Sequence, residues 1–100
     1  MENLKNIKIN ALEIVKKNGL DLENIPKHFK KDKEIVLAAV KNDGFALAYA
    51  DSKFLDDKEI AIEAIKNNKN TFLLLNKKLT NDKDILTLVG LDKHLQKGKK

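Results

Sequence analysis

The residues able to do chemistry are few, and they stand apart from one another. His28 and His94 have no second histidine, no cysteine and no carboxylate at metal-ligand spacing. Asp56 and Asp57 could serve as a general acid and base, but they directly precede an apolar stripe, where a helix cap and a first-turn acid belong. Asp82-Lys83-Asp84 begins like a calcium loop, yet no glycine holds its sixth position and Lys93 holds the twelfth, where a bidentate Glu is required. Ser52, the only serine, has no nearby histidine to activate it, and Gly19, Gly44, Gly90 and Gly98 form no phosphate-cradling cluster. The expectation is a chain with no catalytic, metal or cofactor-binding residues and no cofactor, hence not an enzyme.

What the sequence does carry is a repeat. Asp32-Lys33-Glu34-Ile35, Asp57-Lys58-Glu59-Ile60 and Asp82-Lys83-Asp84-Ile85 recur 25 residues apart. A period of this length marks supersecondary units that bury their apolar faces only by stacking. Apolar character is kept at Leu12, Leu37 and Ile62, at Val15, Val40 and Ile65, at Leu22, Leu47 and Phe72, and at Leu4, Phe29, Phe54 and Leu79. The fold class expected is all-α, a short α-solenoid-like stack of helix-turn-helix units with a 25-residue period. It forms one domain over residues 1–100, with units about 7–31, 32–56, 57–81 and 82–96 and a frayed tail at 97–100.

Within a unit, Ile35, Val36, Ala39 and Val40 make a helical stripe that Ile60, Ala61, Ala64 and Ile65 repeat. First helices are therefore expected near 33–42, 58–67 and 83–90, among about seven helices in all. Asp56 and Glu59 stand at capping-box spacing, and Lys41 and Lys66 sit near the negative helix end. Asn18-Gly19 and Asp43-Gly44 share a phase where a helix would stop in the left-handed region. Lys69 breaks that rule, which leaves Asn68 or Asn70 to adopt the conformation. A second helix follows through Leu47 or Phe72, ended near Ile25 in the first unit by Pro26. Links Asp51–Leu55 and Asn76–Thr80 then carry Phe54 and Leu79 under the next unit. Leu37, Val40, Leu47, Phe54, Ile62, Ile65, Phe72 and Leu79 are expected in one continuous core.

The run from Asp32 through Ile35-Val36-Leu37-Ala38-Ala39-Val40 and Asp43-Gly44 to Leu47, with its weaker copy from Asp57, resembles the bacterial and phage repeat family catalogued as domain of unknown function 4116. The resemblance covers about residues 11 to 90. It implies stacked helical pairs, and it brings no common activity and no catalytic residues to carry over.

Charge and composition narrow the partners. The net charge is +5, all twenty basic residues are Lys, and residues 32–81 balance eight Lys against eight acids. Without the planar guanidinium fork, specific base readout is not expected. Lys, Asn and Ile supply 20, 11 and 9 residues, a bias expected of an AT-rich genome. No cysteine is present and no apolar run approaches the roughly 20 residues of a membrane span. A cytoplasmic protein, monomeric and with no membrane partner, is expected.

The leading reading is a non-enzymatic protein–protein interaction module, an adaptor or inhibitor, with a protein partner. One form is a phage-type inhibitor that binds and blocks a host defence protein such as a CRISPR nuclease. The alternative is a Lys-rich, non-specific RNA/DNA-binding protein whose nucleic-acid affinity is weak. Candidate partner-binding residues are Phe45, Tyr49, Lys53, Lys69, Lys77 and Lys78. For Phe45 and Tyr49, burial against the neighbouring unit is the favoured expectation, and a shared exposed face the competing one.

Overall fold

The structure, a computed structural model, describes residues 4–90 and the side chains from Ile7 onward. Among these residues there are helices and no strand. Five are α-helical: α1 (Leu4–Lys17), α2 (Lys33–Asn42), α3 (Lys58–Asn67), α4 (Lys77–Thr80) and α5 (Lys83–Val89). Five are 3-10 helices: η1 (Gly19–Asn24), η2 (Lys27–Lys31), η3 (Gly44–Tyr49), η4 (Ser52–Asp56) and η5 (Lys69–Leu74). The stretch expected to complete the fourth unit, the tail at 97–100 and His94 lie outside the described residues.

Helices α2, α3 and α5 each start where an aspartate stops the preceding turn. Asp32, Asp57 and Asp82 have extended backbone, and their side chains accept from Glu34 N–H, Ile60 N–H, and both Asp84 and Ile85 N–H, respectively. This is N-capping, which satisfies amides that have no intrahelical acceptor. The cap of α3 is thus Asp57; Asp56, expected to cap through the box with Glu59, is the last residue of η4. Helices α2 and α3 fall on the expected spans, and α5 stops at Val89 with Gly90 in the left-handed region at φ 82°.

Two expectations about the turns are corrected. The links are helical: η4 and α4 replace them, so each complete unit holds three helices, and ten are present among the described residues instead of about seven. Gly19 and Gly44 do not take the left-handed conformation, and neither does any non-glycine described residue. Asn18, Asp43 and Asn68 instead extend the chain at φ −149°, −148° and −154° and cap η1, η3 and η5 by accepting from Leu20, Phe45 and Asn70 N–H. Lys69 therefore breaks no rule, because the turn is made by the residue before it.

The glycines are required by packing. A Cβ on Gly44 would lie 2.6 Å from the Ala64 carbonyl oxygen and 2.9 Å from Thr71 Cγ2, and one on Gly19 would run into the Ala39 carbonyl. The same corner is latched by the following helix. Asn42 Oδ1 accepts from Gly19 N–H at 2.7 Å while its amide donates to the Lys16 carbonyl at 3.0 Å. Asn67 repeats this one unit on, accepting from Gly44 N–H at 2.7 Å and donating to the Lys41 and Asn42 carbonyls.

Around these corners the apolar phases close into one core. Val15, Leu22, Phe29, Ile35, Val40, Leu47, Phe54, Ile60, Ile65, Leu79 and Ile85 are all buried. Of the eight core residues expected, Leu37, Ile62 and Phe72 are only half-buried, though packed against that core. Phe72 differs from Leu22 and Leu47 because η1 is packed by η3 and η3 by η5, whereas among the described residues no further 3-10 helix follows η5.

Gly44→Ala is expected to destabilise the fold by about 1 to 3 kcal/mol, since the obstructing atoms are largely backbone. Thermal unfolding of the variant checks this, and an unchanged midpoint would place the two helices farther apart than described.

Candidate interaction surface

Most residues singled out for chemistry turn out to have structural work. Asp57 and Asp82 are caps, and Asp84 pairs with Lys58. His28 is exposed with its ring 4.2 Å from that of Phe29. Ser52 is exposed at the start of η4. No group of three or more metal-ligating side chains exists among the described residues. No described helix is long and apolar enough to cross a membrane.

Part of the charge is also committed to the scaffold. Lys8, Lys33 and Lys58 each reach forward into the next unit and fork between its cap and first-turn acid. Lys8 lies 3.0 Å from Asp32 and 2.9 Å from Glu34, Lys33 3.0 Å from Asp57 and 2.9 Å from Glu59, and Lys58 3.2 Å from Asp82 and 2.7 Å from Asp84. Hydrogen bonds to the first-turn acid, then to the capping Asp, hold all three ammonium groups above their ordinary 10.5. Burial works to raise Asp32, but the bonds from Lys8 and from the Glu34 N–H outweigh it and leave that carboxyl below 3.8. Asp82 is likewise depressed, with burial outweighed by bonds from the Ile85 N–H, Lys58 and the Asp84 N–H.

The six candidate partner-binding residues are all exposed. Phe45 and Tyr49 are each 36% exposed, partly covered and partly in solvent. Their element is a 3-10 helix with three residues per turn, which sets positions four apart about 120° from each other. The 3-10 helices leave further large apolar side chains in solvent: Leu20 on η1 is 38% exposed and Leu73 on η5 is 82% exposed. Lys53 lies with its ammonium 5.0 Å from the Phe54 ring centroid, while Lys69 opens η5 and Lys77 and Lys78 form the first turn of α4.

Among the grooves on the described residues, two lie between the first and second units. The larger, about 480 Å³, runs between α1 and α2 and is lined by Leu12, Lys16, Glu34, Leu37, Ala38, Lys41 and Asn42. Two of its polar groups, Glu34 and Asn42, belong to the seam between units, because Glu34 holds Lys8 and Asn42 holds the Gly19 corner. The second, about 350 Å³, is lined by Ile25, Lys27, Lys30, Lys31, Tyr49, Ala50 and Asp51. It exists because Asp51 N–H donates to the Lys30 carbonyl at 3.0 Å and seats the end of η3 beside η2. Sequence analysis singled out Tyr49 among these residues and missed its meeting with Lys27, Lys30 and Lys31.

Residues 11–55 match the model of the family described as Domain of unknown function (DUF4116). No curated protein and no solved structure matches the chain. The DUF4116 match takes in the Gly19 corner, the Asn42 latch, η3 and every residue lining the Lys27–Tyr49 groove.

The forks set a pH window. Stability from the depressed Asp32 and Asp82 is fully present above 3.8 and is lost as pH falls through their folded values; that from Lys8, Lys33 and Lys58 is present below 10.5 and is lost as pH rises past it. Urea midpoints measured across pH are expected to be level between these limits and to fall outside them. A Lys33→Met variant should lose less on the alkaline side.

Proposed function

We propose that this protein is a non-enzymatic protein–protein interaction module of the bacterial or phage-infected cytoplasm, acting as an adaptor or as an inhibitor. The observation that carries the reading is the set of large apolar side chains that the 3-10 helices leave in solvent, with Leu73 at 82% exposed and Leu20, Phe45 and Tyr49 between 36 and 38%. Exposed anchors on a rigid array are what partner recognition by stacked helical repeats requires, with the repeated positions holding the stack and the variable ones contacting the partner. At the Phe45 phase the chain has Leu20, Phe45 and Asn70, so this face varies from unit to unit while the core phases stay apolar.

An inhibitor of this kind works by occlusion, covering a working surface of its target. A phage product that blocks a host defence protein such as a CRISPR nuclease is the concrete form proposed. The three lysines of the Lys27–Tyr49 groove favour a second reading, in which the chain binds RNA or DNA through backbone charge.

Affinity purification with the full chain as bait, with and without nuclease, separates the two. A bound protein retained after nuclease digestion supports the module reading, and loss of all bound material on digestion overturns it. With the purified partner, Phe45→Ala or Leu73→Ala is expected to weaken binding about tenfold, the size of a moderate hot spot. Thermal stability should change little in Leu73→Ala, because that side chain is 82% exposed, and more in Phe45→Ala, whose ring is partly buried.

A further inference from the structure

We infer that the groove between the first two units docks an acidic segment of a protein partner, with a carboxylate among the ammonium groups of Lys27, Lys30 and Lys31 and a neighbouring apolar side chain against Ile25, Tyr49 and Ala50. This rests on the interaction-module reading and gives that partner its chemistry.

The charge in the groove is free to act on a ligand. Lys27 and Lys31 are exposed and form no salt bridge with a described residue. Lys30 is half-buried, and its ammonium donates to the Glu23 carbonyl at 2.9 Å, a contact that positions the group without neutralising it. The groove's one acid, Asp51, has an oxygen accepting from Lys53 N–H at 3.0 Å, as the cap of η4. Three cations and one carboxylate thus surround an apolar floor, which leaves the corner net positive.

The repeat tells a discrete anion from a nucleic-acid track. One period after Lys27, Lys30 and Lys31 stand Ser52, Leu55 and Asp56, and one period after Tyr49 stands Leu74. The same corner of the next unit is therefore uncharged or acidic, so the basic groove does not continue onto it. A nucleic-acid strand carries a charge at every nucleotide and is held by a positive groove that follows it, with aromatic platforms for successive bases. A short acidic peptide needs one basic spot beside one apolar surface, which is what this corner offers. The volume of about 350 Å³ is at the small end of ligand clefts and suits a few side chains.

The test is an amide NMR titration of the full chain with a short synthetic peptide alternating glutamate and leucine, its glutamine counterpart, and an oligothymidylate of equal charge. Expected are shift changes concentrated at residues 25–31 and 49–51 with the acidic peptide, much weaker binding of the glutamine peptide, and at least about tenfold loss in Lys27→Glu/Lys31→Glu from like-charge repulsion. Lys27→Gln/Lys31→Gln, which removes charge without adding repulsion, should lose part of the affinity and covers the case in which charge reversal disturbs the fold. No binding, shifts located elsewhere, binding indifferent to both variants, or tighter binding of the oligothymidylate would each overturn the assignment. Those results leave the module reading itself to the nuclease-controlled purification, so the two can fail separately.

Discussion

The structure depends on how closely one unit's corner approaches the helix of the next. At Gly19 and Gly44 the backbone lies so near the carbonyls of Ala39 and Ala64 that no side chain fits between them. Asn42 and Asn67 then use both ends of their amide groups, accepting from the glycine N–H and donating to carbonyls of the preceding helix's last turn. Burying a backbone N–H without an acceptor costs about 1 to 3 kcal/mol, so the latch and the close approach require each other. Everything apolar follows from this spacing. It brings the Val15, Val40 and Ile65 phase and the Ile35, Ile60 and Ile85 phase into one buried row.

The lysine forks act on the same register from the other end of the helices. Each ammonium group crosses to the next unit's cap and first-turn acid, where it also lies near the positive end of the helix macrodipole. Such partly exposed pairs add little stability each, typically under about 1 kcal/mol. They do sort the lysines of this basic chain. Lys8, Lys33 and Lys58 serve the seam, while Lys27, Lys30 and Lys31 sit where the next unit has Ser52, Leu55 and Asp56 and form no salt bridge among the described residues.

The Asp tetrad and the stripe behind it place α2 and α3 correctly, because a cap and an apolar period coincide there. The third helix of each unit was not legible, since η4 and α4 are too short to show a period and announce themselves only through Phe54 and Leu79. Gly19 and Gly44 were read locally as turn formers, but what they avoid is a carbonyl 20 residues away, a contact no local pattern carries. A signal for the latch did exist: Asn42 and Asn67 occupy one phase at the end of their helices, where asparagine has no helical advantage. The groove beside Tyr49 needed the Asp51-to-Lys30 backbone bond to bring its two halves together.

Amide hydrogen exchange at Gly19 and Gly44 tests the latch most directly. Both residues open 3-10 helices, a position whose N–H has no acceptor within its own helix and, in Ser52 at the start of η4, none among the described residues. The account predicts that the Gly19 and Gly44 amides exchange as slowly as the interior of α2, and that the Ser52 amide exchanges fast. Fast exchange at both glycines would contradict it, since the units would then be held in register by apolar contact alone.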